Sequence, residues 1–284
     1  MKPFTAKHSA NPKPYTLLAW LLTALMFSAP TWAERALFDA HLHYNHSHMD
    51  VVSPTEVIEM LDRTGISHAV FSSRPTENSE ILFELAPERI IPFVMPYHDF
   101  HDKASWWEDP SVVEHVKNAI DTGVYRGIGE LHLFKDNKHA PVYLELIDLA
   151  AEHDLILQLH GDAEIIDVAR ERAPEVPIIW AHLGTDPRPE VIREMLERHP
   201  EGLYVDTSVR DQRLVPDGRI DPDWKQLLLD YPDRFMIGVD TFSDNRWVEF
   251  PQVVRLIRHW LEQLPDPVAH KIGYQNAADL FNVE

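Results

Sequence analysis

Eight short apolar runs rich in β-forming residues, separated by stretches of helical periodicity, leave this chain little choice of fold. The runs are ALFDAHLH (36–43), HAVFSS (68–73), IIPFVMPY (90–97), YRGIGELHLF (125–134), LILQLHG (155–161), PIIWAHLG (177–184), GLYVDTSV (202–209) and RFMIGVD (234–240). Apolar strands that alternate with amphipathic helices build a parallel sheet covered on both faces. Helices are expected over SPTEVIEMLDRTG, opened by Ser53 and Pro54 and stopped at Gly65, and over DPSVVEHVKNAIDTG, opened by Asp109 and stopped at Gly123. Others are expected near 140–153, 163–173, 188–199, 222–231 and 246–264. Eight such units predict a single-domain (β/α)8 barrel. An open doubly wound sheet is the alternative, but no glycine-rich turn follows the first strand to support it.

The first 33 residues stand apart from this rhythm. They carry three lysines and no acid, continue as LLAWLLTALMFSA (17–29) and close on PTWA. The apolar run is shorter than the ~20 residues of a membrane span and has the order of a secretory leader. Cleavage is expected after Ala33, leaving a barrel domain over 34–284 in the periplasm or outside the cell. The chain has 26 Lys and Arg against 46 Asp and Glu, a formal charge of −20, and loss of Lys2, Lys7 and Lys13 with the leader takes it to −23. Such an acidic surface argues against nucleic acid as a partner and against attachment to a membrane through basic patches. There is no cysteine, so thiolate catalysis and thiolate metal sites are excluded.

A barrel places its active site where strands end and βα loops begin. Those places hold His41 and His43 on the first strand, Glu130 on the fourth, His160 on the fifth, His182 on the sixth and Asp240 on the eighth. All six are metal-ligand types. Side chains alternate along a strand, so His41 and His43 face the same way and can share one cation, for which zinc is well suited.

This order of strand-end residues resembles the amidohydrolase superfamily of metal-dependent hydrolases, in particular its amidohydrolase-related branch. The ending IGYQNAADLFNVE is similar to that branch's closing helix, and the resemblance spans the whole chain after the leader. It implies that His41 and His43 bind the more buried metal with help from Asp240. His160 and His182 would complete the centre as ligands of a second metal, or in a one-metal enzyme His182 would polarise water or substrate. Many relatives bridge two metals with a lysine on the fourth strand; here Glu130 stands in its place and can bridge directly, or it can hold a ligand histidine from behind. Independently of family, a divalent cation lowers the pKa of a bound water, and Asp240 is placed to take its proton and pass it to the leaving group.

The substrate is expected to be a small-molecule amide, lactone or ester. Arg74, His132 and Ser208 are expected to touch it, with Asp206 ending the same strand as Ser208. His46, His48, His98 and His101 read as loop histidines, Arg126 as structural, and Trp106 and Trp107 as a surface patch or a lid. Two other readings stay open: a one-zinc decarboxylase, and a non-enzymatic periplasmic metal-binding protein.

Overall fold

The computed structural model describes Met1 and residues 35–283, and residues 35–283 form one compact unit. The expected leader lies outside the described residues. Eight parallel strands pair in sequence order: β1 (Leu37–Leu42), β2 (Ile66–Ser72), β3 (Ile90–Val94), β4 (Gly127–Leu133), β5 (Ile156–Gly161), β6 (Ile178–Trp180), β7 (Leu203–Asp206) and β8 (Phe235–Met236). Around them run α1 (Pro54–Thr64), α2 (Glu77–Leu85), α3 (Ser111–Ile120), α4 (Pro141–Glu152), α5 (Ala163–Arg172), α6 (Pro189–Arg198), α7 (Asp211–Leu214), α8 (Pro222–Asp230), α9 (Asp244–Leu261), α10 (Asp266–His270) and α11 (Asn276–Phe281). This is the (β/α)8 barrel.

The sheet closes through an irregular seam. Ala40 N donates to Ile237 O and Asp240 N to His41 O, while the Asp39 carboxylate, inserted between them, accepts from Val239 N and His41 N. Burial pushes the Asp39 carboxyl up to about 7, against the pull of these backbone donors. The side chain thus replaces a ladder bond, which shortens β8 relative to the expected 234–240.

Two strands change their parity on the way to the barrel mouth. Phe38 and Ala40 pack inside, yet so do His41 and His43, and the register slips between Asp39 and Leu42. On β4 the register slips between Ile128 and Leu131, after which Glu130 and His132 face inward while Leu131 and Leu133 pack against helices. A bulge re-aims side chains by absorbing one residue. Both bulges sit where the candidate ligands begin.

The lower barrel is sealed by the end of the chain. Phe38, Val70, Phe93, Ile179 and Met236 from five strands form one cluster with Ala277, Ala278 and Phe281 of α11, and Phe38 stacks on Phe281 at 5.5 Å. Asn276 Nδ2 donates to Pro232 O and Phe235 O, both at 2.8 Å, tying the plug to β8. The small alanines let the helix approach closely.

Helix α1 has the caps that its sequence predicts. Ser53 Oγ accepts from Glu56 N, Glu56 Oε2 accepts from Ser53 N at 2.8 Å, and Gly65 ends the helix at φ 71°. A β-carbon at Gly65 would lie 2.6 Å from a terminal nitrogen of Arg258, which donates to Thr64 O. Helix α2 has no counterpart among the expected elements. Its buried residues are Asn78, Ser79 and Leu82, so its inner face is mostly polar and gives no apolar stripe.

Asp211 on α7 is buried beside Trp260, whose Nε1 donates to it at 3.1 Å, and burial pushes its carboxyl up from 3.8 to about 6. The folded chain therefore holds this proton more tightly than the unfolded one. The stability it contributes is full below about pH 4 and lost as pH rises through 6, by ~3 kcal/mol. Asn at 211 keeps an acceptor without the charge. In urea titrations the stability of Asp211→Asn relative to the parent is expected to rise between pH 4 and pH 8, and a pH-independent difference would refute this.

Candidate metal centre and active site

The six strand-end residues meet. His41 Nε2 lies 3.3 Å from His43 Nε2 and 3.5 Å from Glu130 Oε2, and His43 Nε2 lies 3.3 Å from Glu130 Oε2 and 3.2 Å from Asp240 Oδ1. Four donors at ~2.1 Å around a tetrahedral cation sit about 3.4 Å apart. The spacing of this group matches that figure, apart from the 4.0 Å between His41 Nε2 and Asp240 Oδ1. Asp240 Oδ1 is also buried with no hydrogen-bond partner, a costly arrangement that a cation would relieve.

A second group adjoins the first. Glu130 Oε1 lies 2.6 Å from His160 Nδ1 and 2.9 Å from His182 Nε2, and Asp240 Oδ2 lies 3.8 Å from His182 Nε2. The two contacts of Glu130 Oε1 are closer than ligands of one cation, so it would have to move from both histidines by about half an ångström or more to hold one with them. Glu130 thus gives one oxygen to each group.

Hydrogen bonds behind the ligands fix which ring nitrogen faces inward. Ser72 O can only accept, so His43 Nδ1, 2.5 Å away, carries the proton and its Nε2 lone pair points to the centre. The Ser208 hydroxyl donates to Asp206 Oδ1, leaving Oγ to accept from His182 Nδ1 at 2.8 Å, which bares His182 Nε2. His41 Nδ1 is held by Asp206 Oδ2 at 3.0 Å, and His182 N donates to Asp206 Oδ1. Asp206 therefore orients three residues from below. Burial raises its pKa, but His41 outweighs this and holds the carboxyl down at about 2.

The electrostatics call for positive charge. Burial disfavours a proton on His41, yet Asp206, Glu130 and Asp240 together hold its pKa well above the ordinary imidazole value. Burial likewise works against ionised Glu130, but His132, His41 and His160 keep it well below the usual carboxylate range. Divalent cations satisfy the same demand with donors of the right type.

Backbone strain gathers at this mouth. His182, Asp240 and Val209 have φ of 60°, 55° and 52°, in the left-handed region that non-glycine residues avoid. Such residues cost about 1–3 kcal/mol each and persist where surrounding packing over-determines them. The turn at His182 replaces the strand expected up to 184, and β6 stops at Trp180. Gly184, at φ 70°, is required there, because a β-carbon would lie 2.3 Å from the Trp180 ring.

A cavity of about 260 Å³ opens above the centre, lined by His43, Glu130, His132, His160, His182 and Asp240 and by Arg74, Met95, Tyr97, Phe100, Lys103, Val209, Arg210 and Phe242. Arg74 and His132, expected as substrate contacts, line this cavity. Ser208 does not. It is fully buried between His182 and Asp206, a positioning hydroxyl rather than a substrate contact. His132 Nδ1 bonds Tyr97 Oη at 2.8 Å, and its Nε2 lies 3.4 Å from Glu130 Oε2. Trp106 is not a lid: it is buried, and its Nε1 donates to His132 O at 3.0 Å.

The other histidines stay out of the cavity. His48 is buried with Nδ1 accepting from Asn45 N and Trp247 Nε1, and burial pulls its pKa down to about 4. His46, His98 and His101 are exposed. Lys103, Phe100, Arg210 and Phe242 were not legible as lining residues, because they come from loops whose positions periodicity does not fix.

Residues 109–283 match the family model described as Amidohydrolase. No curated protein matches the chain in sequence. Among solved structures, the Escherichia coli phosphotriesterase homology protein, with phosphate in its active site, superposes with a TM-score of 0.59 at 10% identity, over 87% of this chain and 98% of that one. A candidate 2-pyrone-4,6-dicarboxylic acid hydrolase from Pseudomonas putida gives 0.57 at 16% identity, over 88% and 98%. A Burkholderia multivorans amidohydrolase with bound HEPES gives 0.52 at 15%, over 88% and 100%. These likenesses are of fold, and the family match carries the chemistry. With that match spanning well over half of its residues, the chain belongs to the amidohydrolase family and is a metal-dependent hydrolase.

Proposed function

We propose that this chain is exported and hydrolyses a small-molecule lactone, ester or amide at a centre where His41, His43, Asp240, His160 and His182 would hold two divalent cations, most suitably zinc, with Glu130 serving both. The observation that carries the reading is the division of Glu130: Oε2 belongs to the group of His41, His43 and Asp240, and Oε1 to that of His160 and His182. Export rests on the leader composition of residues 1–33. The Pseudomonas putida relative is described by a 2-pyrone substrate, a cyclic ester, which supports the lactone class.

Bound divalent cations would acidify a water and polarise the carbonyl oxygen under attack. The rest falls to side chains. Asp240, whose Oδ1 belongs to the first ligand group and whose Oδ2 lies 3.8 Å from His182 Nε2, accepts the proton of the attacking water and returns it to the leaving group. Asp206 and Ser208 hold His41 and His182 in one tautomer and one orientation, so no reorganisation is needed during reaction. Tyr97 holds the His132 ring at the cavity wall, within reach of a substrate oxygen.

A panel of lactones, esters and amides assayed before and after dialysis against a chelator tests this. Turnover of at least one class, lost on chelation and restored by zinc or manganese, is the expected result. Undiminished turnover by metal-free protein, or none in any class from fully loaded protein, would contradict it.

A further inference from the structure

Three cations line the cavity: Arg74 from the loop after β2, Lys103 from the loop after β3, and Arg210 from the loop after β7. Several arginines elsewhere in this acidic chain are held by acids. Arg89, Arg172, Arg188, Arg193 and Arg198 each hold a carboxylate at 2.5–2.7 Å. The cavity cations instead converge on one space. Among the described residues none of the three forms an ion pair, and the only side-chain hydrogen bonds are from Arg74 Nε to Asn45 Oδ1 and from Arg210 Nε to His182 O. Both arginines are thereby anchored through Nε, with their terminal nitrogens left for a ligand.

The surroundings keep these charges poorly solvated. Arg74 lies over the Tyr97 and Phe100 rings at 5.8 and 5.5 Å, and Lys103 Nζ lies 5.9 Å from the Phe100 ring. Burial lowers the pKa of Lys103 and of Arg210. In a chain with 46 acids and 26 bases, three unpaired, partly buried cations around one pocket mark a place for negative charge. Phe100 and Phe242, both more than half exposed, offer apolar faces at its rim.

We propose that the substrate carries an oxyanion, a carboxylate or a phosphate remote from the bond broken, gripped by Arg74, Lys103 and Arg210, with a flat apolar body against Phe100 and Phe242. This rests on the hydrolytic reading of the same site and deepens it. Guanidinium forks match either oxyanion in a bidentate manner, and Lys103 adds a point charge.

The test is calorimetric titration of metal-loaded protein with three probes: isophthalate, phenyl phosphate and the neutral isophthalamide. Parent protein is compared with Lys103→Met, Arg210→Met and Arg210→Lys, with metal content measured for each. At least one anion is expected to bind more tightly than the diamide, and each Met variant to weaken that anion on the order of 10–100-fold, the loss expected for a hydrogen bond to a charged group. Metal content should stay at the parental level, and Arg210→Lys should recover part of the loss. The anion that responds identifies carboxylate or phosphate. Equal binding of the diamide, or anion binding unchanged in both Met variants, would overturn the grip, the second result assigning the affinity to the metals alone. Lys103 is half-buried in an otherwise exposed loop, so its variant serves if Arg210→Met does not fold. Cation-dependent anion binding without turnover in any class would count against hydrolysis and leave the grip standing. Turnover indifferent to substrate charge would do the reverse.

Discussion

Replacing Asp240 with Asn is expected to lower kcat by about 10²- to 10⁴-fold, the usual worth of a positioned acid–base group. The change is isosteric, so packing survives. The backbone bonds that place the residue, Asp240 N to His41 O and Arg246 Nε to Asp240 O, do not involve the carboxylate. What is lost is an oxygen that can take a proton, together with negative charge between His43 and His182. Because the reaction and not the fold is affected, circular dichroism should be unchanged while kcat collapses. A variant within tenfold of the parent would show that the proton goes elsewhere, and His132 would be the group to examine next.

The second large effect is expected at Glu130. It lies within 3.5 Å of His41, His43, His132, His160 and His182, and its two oxygens make the shortest contacts between the two ligand groups. Glu130→Ala should drop bound metal from two ions per chain to one or fewer and lower turnover by about 10³-fold, the equivalent of several kcal/mol of lost transition-state stabilisation. Glu130→Gln fills the same volume without the charge and separates loss of the bridge from loss of packing. If Gln keeps the parental metal content and most of the activity, Glu130 is not the bridge and supports His160 from behind.

Much of this site could be read in the sequence because a parallel barrel brings strand ends together whatever loops intervene. His41, His43, Glu130, His160, His182 and Asp240 needed only the order of the strands to be placed. What periodicity could not give is local geometry: the bulges on β1 and β4 that turn His41 and Glu130 inward, and the left-handed turns that carry His182 and Asp240. Ser208 looked like a substrate contact because it ends a strand, and only the packing shows the His182 ring standing over it. Asp206, two residues earlier at the end of β7, organises the floor of the site, but a lone aspartate at a strand end carries no mark of that role. Helix α2 was invisible for a related reason, since its inner face is built of Asn78 and Ser79, which bond Tyr44 O and Phe71 O rather than filling a core.

Metal content per chain, by elemental analysis of the untagged protein, bears most directly on the centre. The division of the Glu130 oxygens between two ligand groups predicts two divalent ions in each chain. A single ion would contradict the bridge, and no bound ion would contradict the centre itself.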